Sequence, residues 1–437
     1  MENCKGTVGL LTLGCKVNQY ESEAIGELFE ARGFRVQSAS LPCDVYVINT
    51  CTVTAESDRK ARQMIRRAIA KNPAAYVLVT GCLGQVSPDS LAAIEGVDYV
   101  CGNVNKTKLP EIAEALLLSG KKTAPTVEVR DITRACFEPM QIRKFDRTRA
   151  YIKIEDGCES HCTYCIIPSA RGVIRSKPMN EVAAEVKTLT EGGCREVVLT
   201  GIETASYGKD LADGSLAELL SRVDSLPNIG RVRLGSLDPS LMKQAFVDKI
   251  APLTSLAPHF HISMQSGSDK ILRLMKRKYN TEMALAGIDR LRRALPDVMF
   301  TTDMIVGFPH ETEEDFEKTL AFAKKARFLM IHVFPYSKRQ GTPAAEMDGQ
   351  VPEIIKKERV ARLSALAAEI RRELLSEWIA NTERTEVLFE EYENGYAYGH
   401  TANFIRVRVP AEQQLRSELL SVRPLKTDGD IVDAILL

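Results

Sequence analysis

The chain has 437 residues, enough for about two to four domains of roughly 100–200 residues each and for a core that needs no disulfide staples. Lysine plus arginine equals aspartate plus glutamate at 58 each, which excludes a strongly basic nucleic-acid coat, so any site for a polyanion must be a local patch. Eleven cysteines, an odd number scattered over a long chain, exclude a secreted disulfide framework, and no apolar run approaches the ~20 residues of a membrane span. The start, Met1-Glu2-Asn3-Cys4-Lys5, leads into a strand rather than a signal sequence, so the expectation is a cytoplasmic protein with reduced thiols and no membrane partner.

Three similar units open the chain: Val8 to Cys15, Val45 to Cys51 and Tyr76 to Cys82. Each is a short apolar run ending in a cysteine and followed by a helical stretch, which predicts βαβ repeats and a parallel sheet. The carboxyl ends of such strands open on one edge, so Cys15, Cys51 and Cys82 should converge there on a metal or cluster. Cys4, Cys43, Cys136 and Cys194 fit the role of small buried hydrophobes; Cys101, which ends the run Val97 to Cys101, is an alternative fourth ligand. The helix after Cys51 carries Arg59, Lys60, Arg62, Arg66, Arg67 and Lys71 opposite Ala61, Met64, Ile65, Ala68 and Ile69. Its basic face is either solvated surface or an RNA-backbone contact. A helix (Leu109–Leu118), a short strand (Thr126–Val129) and the polar stretch Arg134–Arg149 lead to a boundary near Lys144, so residues 1–143 form the first domain.

Gly157-Cys158-Glu159-Ser160-His161-Cys162-Thr163-Tyr164-Cys165 follows the apolar run Ala150–Ile154. Three closely spaced thiols with no fourth at ligand spacing suit an iron–sulfur cluster with one open iron; a zinc knuckle or redox dithiol is the alternative, although zinc sites favour four ligands. Strands are expected at Ala150–Glu155, Glu196–Glu203, Arg231–Asp238, His259–Gln265, Met299–Gly307 and Met330–Tyr336. The helices Asn180–Glu191, Ser215–Ser225, Pro239–Ile250, Thr281–Ala294 and Thr312–Ala326 separate them, which predicts an incomplete parallel (β/α)6 barrel with its chemistry at the carboxyl ends of the strands. The nonapeptide in this setting resembles the radical S-adenosylmethionine (SAM) enzymes. The resemblance implies that Cys158, Cys162 and Cys165 hold a 4Fe-4S cluster whose open iron chelates SAM, and that Tyr164 lies near the adenine. It further implies that the turn Thr200-Gly201-Ile202-Glu203 meets the SAM amino group, that the loops at Gln265 and Gly307 line the ribose and adenine, and that Ser236 is a further cofactor-binding residue. Three places depart from the family pattern: Gly235-Ser236-Leu237-Asp238-Pro239 for Ser-Ser-x-Glu-Pro, Glu203-Thr204-Ala205 for His-Leu-Gly, and His310 for a glycine.

The first-domain turns narrow the resemblance. Leu13-Gly14-Cys15-Lys16-Val17-Asn18-Gln19-Tyr20-Glu21-Ser22, Asn49-Thr50-Cys51-Thr52-Val53-Thr54 and Thr80-Gly81-Cys82 resemble the cluster-bearing turns of the methylthiotransferases, radical SAM enzymes with a second 4Fe-4S cluster. Gly-Cys-Lys-Val-Asn-Gln is similar to the subgroup acting on N6-threonylcarbamoyladenosine in tRNA. That implies methylthiolation of adenine C2 in the anticodon loop, an electron donor such as flavodoxin or ferredoxin, and a sulfur source. Isopentenyladenosine in tRNA and a ribosomal-protein aspartate are the alternative substrates; a non-catalytic Fe–S RNA-binding or electron-transfer protein is the alternative class.

Residues 144–373 are thus expected to form the radical SAM core and 374–437 a last domain, joined by a long helix, Val351–Trp378. Short strands (Thr385–Glu391, Tyr396–His400, Phe404–Val409 and a closing run) resemble the small RNA-binding β-barrel called TRAM. From Glu383 onward six Lys and Arg stand against ten Asp and Glu, so RNA contact must be local. Tyr396, Tyr398, His400 and Phe404 are stacking candidates beside Arg406 and Arg408, or else barrel core. The expected fold class is α/β multidomain: a βαβ parallel-sheet domain, a partial radical SAM barrel and a TRAM-like β-barrel.

Overall fold

The computed structural model describes residues 4–437. The N-terminal part is a six-stranded, all-parallel sheet in the spatial order Arg35–Gln37, Thr7–Thr12, Val45–Thr50, Tyr76–Gly81, Tyr99–Cys101, Thr126–Glu128. Val45–Thr50 and Tyr76–Gly81 are buried at every position, as central strands covered on both faces must be. One face packs Tyr20, Ala24, Ile25 and Phe29 of the helix Lys16–Ala31 into a core continuous with the central domain. The other packs Ala61, Ile65 and Ala68 of the helix Ala55–Lys71.

The central domain is a curved parallel wall in two sheets. Ala150–Lys153, Glu196–Thr200 and Arg231–Leu234 form one; Ser236–Leu237, His259–Gln265, Met299–Val306 and Met330–Pro335 form the other. The expected strand Arg231–Asp238 therefore breaks at Gly235, whose N–H donates to Leu199 O at 2.8 Å, and the run changes partners there. The expected helix Pro239–Ile250 is likewise split, into a 3-10 turn Pro239–Leu241, capped by the Asp238 carboxylate on Ser240 N–H, and a helix Gln244–Ile250. Alternation sets the inner face. Ile152, Val197, Leu199, Val232, Leu234, Phe260, Ile262 and Met264 pack in the core, and the intervening residues line the lumen.

The helix Glu353–Asn381 leads to a closed five-stranded barrel in the order Thr385–Glu393, Tyr396–Thr401, Arg406–Pro410, Val432–Leu436, Leu419–Thr427. Trp378, Val387, Phe389, Val407, Val409 and Val422 are among its core. It closes the amino end of the central wall: Phe404 stacks between His259 (4.5 Å) and His400 (4.6 Å), with the Arg233 guanidinium 5.0 Å from its ring. His400 and Phe404 are therefore domain-interface residues rather than free platforms for bases. Cys43 and Cys194 are buried as expected, whereas Cys4 and Cys136 are exposed, because Cys4 precedes the first strand and Cys136 lies in an irregular connection. No helix among the described residues is long and apolar enough to cross a membrane.

Candidate active site at the facing strand ends

The Cys158 loop leaves the strand pair Glu155–Asp156 and Arg175–Ser176 through Gly157 at φ +89, where a Cβ would collide with Val173 O. Backbone bonds then fix it: Cys158 N–H donates to Gly172 O (3.0 Å) and Thr163 N–H to Met275 O (3.2 Å). Three N–H groups aim at the three sulfurs. Ser160 N–H lies 3.5 Å from Cys158 Sγ, Ile167 N–H 3.4 Å from Cys165 Sγ, and Arg277 Nη1 3.1 Å from Cys162 Sγ. Such donors hold thiolates and tune iron–sulfur clusters. Burial, then the Glu203 carboxylate, pushes the Cys158 thiol up; burial and the Cys162 charge push Cys165 up to about 11. A bound cation would reverse that order and deprotonate both. Among the described residues no three His, Cys, Asp or Glu side chains are drawn tightly enough together to hold a single metal ion. A cubane spreads its ligands over several irons, and the loop fits one by its donor set and the N–H groups at its sulfurs.

The expected SAM-binding residues surround this loop. Glu203 accepts from Ser160 Oγ (2.8 Å) and from the Cys158 thiol (3.2 Å). Tyr164 packs edge-on against Phe308, 6.4 Å away, the residue after Gly307. Thr200 ends its strand beside Lys153, Ser236 stands exposed at the strand break, and Gln265 sits at a bulge with φ +66. Two residues were missed by sequence reasoning. Glu155 is buried beneath the 201–203 turn, accepting from Glu203 N–H at 2.7 Å, and burial raises its pKa well above the usual range. Arg277 ties Cys162 to Asp238 (2.7 Å), so the Asp in the departing Asp238-Pro239 segment still anchors a cation. A charge ending an apolar run was the only sequence signal for Glu155, and Arg277 gave none.

The second cysteine set converges at the edge of the N-terminal sheet. Cys15, Cys51 and Cys82 follow three adjacent strands. Gly14, at φ +112, passes so close over Cys51 that a Cβ would stand 2.8 Å from its Cβ. Burial, then the Cys82 and Cys15 charges, raises the Cys51 thiol, while Cys15 itself opens to solvent at the sheet edge. Asn18 ties the turns by donating to Leu13 O (2.7 Å) and Thr50 O (3.0 Å), while Asn103 Nδ2 and Arg171 Nε reach Cys82 Sγ at 3.5 and 3.3 Å. Cys101 is buried at a strand end and raised to about 11 by burial.

Between the two sets lies a buried ionic cluster. Arg171 binds Glu21 (2.6 Å), Asp156 (3.2 Å) and Asn18 (2.5 Å) as well as Cys82. Lys153 binds Glu21 (3.0 Å) and Asp156 (3.2 Å), Lys106 pairs with Glu21, and Arg175 with Asp156 (3.3 Å). Four cations thus face two anions, all of them buried. Against the desolvation that would raise it, Arg171, Lys106 and Lys153 hold Glu21 well below the carboxylate range; Arg171, Lys153 and Arg175 hold Asp156 at about 2. The surplus of positive charge abuts Cys82 on one side and, through Asp156, the Gly157-Cys158 turn on the other. Anionic cysteinate clusters would balance it.

The expected RNA contacts fall on separate domains. Arg66 and Arg67 are exposed on the basic helix, Arg59 pairs with Glu56 (2.6 Å), and Arg62 reaches Ser90. On the C-terminal barrel the Arg406 guanidinium sits 5.2 Å from the Tyr398 ring. The two groups are on opposite sides of the central domain in chain order and share no contact in the structure among those described.

Comparison with known proteins places these features in context. Residues 152–323 match the radical SAM superfamily, and residues 7–102 match the uncharacterized protein family UPF0004. The chain is 41% identical to the Bacillus subtilis threonylcarbamoyladenosine tRNA methylthiotransferase MtaB, over 96% of this chain and 94% of that one. Its counterpart from Thermotoga maritima is 40% identical over 85% and 87%. A tRNA-2-methylthio-N(6)-dimethylallyladenosine synthase from Aquifex aeolicus is 33% identical over 97% and 98%. Among solved structures, the radical S-adenosylmethionine methyltransferase TsrM from Kitasatospora setae, with cobalamin and a [4Fe-4S] cluster bound, shares the fold at a TM-score of 0.59 and 16% identity, covering 82% of this chain and 90% of that one.

Proposed function

The chain belongs to the methylthiotransferase family of radical SAM enzymes, and from that premise we propose that it methylthiolates C2 of N6-threonylcarbamoyladenosine beside the tRNA anticodon, using two 4Fe-4S clusters. The observation that carries this reading is the pair of three-cysteine sets, each short of a fourth ligand, joined by one buried ionic cluster. The two relatives of highest identity above are named for the same nucleoside.

Cys158, Cys162 and Cys165 would hold one cluster, and Cys15, Cys51 and Cys82 the other. When bound, the first supplies with SAM a radical able to take hydrogen from an unactivated C–H, and the second supplies the sulfur; no neighbouring group makes the C2 proton acidic enough for an acid/base route. Glu203, beside Cys158, accepts from the SAM amino group, with Thr200 and Gly201 shaping the same turn. Tyr164 and Phe308 form an apolar wall for the adenine next to Gly307, while Ser236 and Gln265 offer polar groups to the ribose. Arg171, Glu21 and Asp156 keep the two cysteine sets in fixed relation and exclude water between them.

An anticodon loop presents its base outside a stack at low cost. Arg59, Arg62, Arg66 and Arg67 take its phosphates, and Tyr398 under Arg406 offers a local stacking platform. The work divides among residues 1–143, 144–373 and 374–437, in the cytoplasm, with an external electron donor such as flavodoxin or ferredoxin and an external sulfur source. Mass spectrometry of tRNA nucleosides tests the reading. Cells lacking the gene, or carrying only Cys158→Ala, should lose 2-methylthio-N6-threonylcarbamoyladenosine and accumulate its precursor. Unchanged tRNA would refute the substrate.

A further inference from the structure

The N-terminal sheet carries a recess that the chemistry above leaves unused. Leu11 and Leu13 stand two apart at the carboxyl end of the strand Thr7–Thr12, so both project to the face that packs against the helix Ala55–Lys71. That helix lies mainly over the next two strands, Val45–Thr50 and Tyr76–Gly81, and leaves the two leucines only half-buried. A recess of about 510 Å³ results, floored by Leu11, Leu13 and Met64. Its volume is that of a small-ligand site.

The helix flank above this floor is basic. Lys60, Arg67 and Lys71 form a stripe about 16 Å long on the helix, and among the described residues no acidic one lines the recess. Lys71 is spent on the rim, donating to Ala39 O (3.1 Å) and Ser40 O (2.6 Å). Lys60 stands 3.9 Å from a Glu56 that Arg59 already holds at 2.6 Å, so its charge is little offset, and Arg67 is exposed. An apolar floor under a row of cations matches a ligand with a flat apolar face and a phosphate, which is a nucleotide. Position points to one nucleotide in particular. Leu13 is two residues from Cys15, at most about 7 Å of extended chain, and Cys15 is exposed at the edge to which the target carbon must be brought.

We propose that this recess is a base-accepting subsite for the nucleotide next to the target adenosine in the anticodon loop, with the base on Leu11, Leu13 and Met64 and its phosphate on Arg67 and Lys60. This rests on the tRNA reading above and deepens it. Among the described lining residues there is no aromatic ring, so the base is held by apolar contact, with the exposed Gln63 amide at its edge, rather than by stacking. Drawing the neighbouring base aside also unstacks the target adenine, which frees its C2 edge to meet the second cysteine set.

The test measures affinity of the reconstituted holoenzyme for anticodon stem-loops that all carry N6-threonylcarbamoyladenosine, either intact or with the nucleotide on its 5′ or its 3′ side replaced by an abasic residue. Wild type should lose about tenfold at one of the two positions, the scale of one base contact. Met64→Asp, which puts a carboxylate on the floor, should bind the intact loop weakly and lose nothing further with the abasic one. The milder Met64→Gln should narrow the loss, and Met64→Leu, which keeps the floor apolar, should retain it. Lys60→Ala with Arg67→Ala should weaken intact and abasic loops alike and lower the salt slope by about one per cation. No loss at either flanking position in wild type, or a loss that Met64→Asp and Met64→Gln leave unchanged, overturns the subsite while leaving the substrate reading intact. If wild type neither binds nor methylthiolates the intact loop, both fall.

Discussion

Replacing Glu21 with Gln removes the one anion that Arg171, Lys153 and Lys106 share. Glu21 is 1% exposed, so no water can take over its role. Asp156 would then be the sole anion among four buried cations, and breaking a buried pair from one side costs about 3–5 kcal/mol. Set against a typical stability of about 5–15 kcal/mol, that is a large fraction. Arg171 would also lose the contact that aims its Nε at Cys82, so the second cluster should be retained poorly. Urea denaturation of the apoprotein followed by circular dichroism reads the first effect, and iron content after reconstitution the second. The expected result is a loss of about 3–5 kcal/mol and a fall from about eight irons per chain toward about four. A loss below about 1 kcal/mol with full iron would refute the view that this cluster couples the two cysteine sets.

Other consequences are equally direct. Glu311, whose carboxylate accepts from Gly307 N–H, has its pKa raised to about 7 by burial, which outweighs Arg359. A raised carboxylate pKa contributes stability that is full below the ordinary value of about 4.3 and is lost as pH rises through about 7; Glu311→Gln should flatten thermal stability across that window, and an unchanged profile would refute the assignment. Asp156, held at about 2, works the other way: its contribution is present above the ordinary value of about 3.9 and lost as pH falls toward about 2, so Asp156→Asn should blunt acid unfolding in that range. Arg66→Glu with Arg67→Glu should weaken tRNA binding and lower the magnitude of its salt slope by about two; an unaltered slope would make that face plain solvated surface.

Much of this architecture was legible because strands that end in cysteine or glycine turns announce where a parallel sheet opens. The convergence of Cys15, Cys51 and Cys82 on one sheet edge and the placing of the Glu203 turn beside Cys158 follow from position along strands. What could not be read is pairing across long separations. Arg171 meets Glu21 and Cys82 only once the N-terminal helix packs on the barrel, and nothing near Arg171 in sequence marks it. The break at Gly235 was hidden because the run on both sides is equally strand-like, and only the curvature of the wall decides where it changes partners. Phe404 misled for the opposite reason: an aromatic beside arginines reads as an RNA platform, but its ring is consumed by His259, His400 and Arg233. Lys16 likewise meets the Tyr151 ring of the central domain only in the fold.

The division of labour between the two cysteine sets is the central claim, and one assay meets it head on. A variant with Cys15, Cys51 and Cys82 all changed to Ala, reconstituted and supplied with SAM, reductant and stem-loop RNA carrying N6-threonylcarbamoyladenosine, should still release 5′-deoxyadenosine while forming no methylthio product. Methylthio product from that variant, in an amount near that of the wild type, would contradict the account.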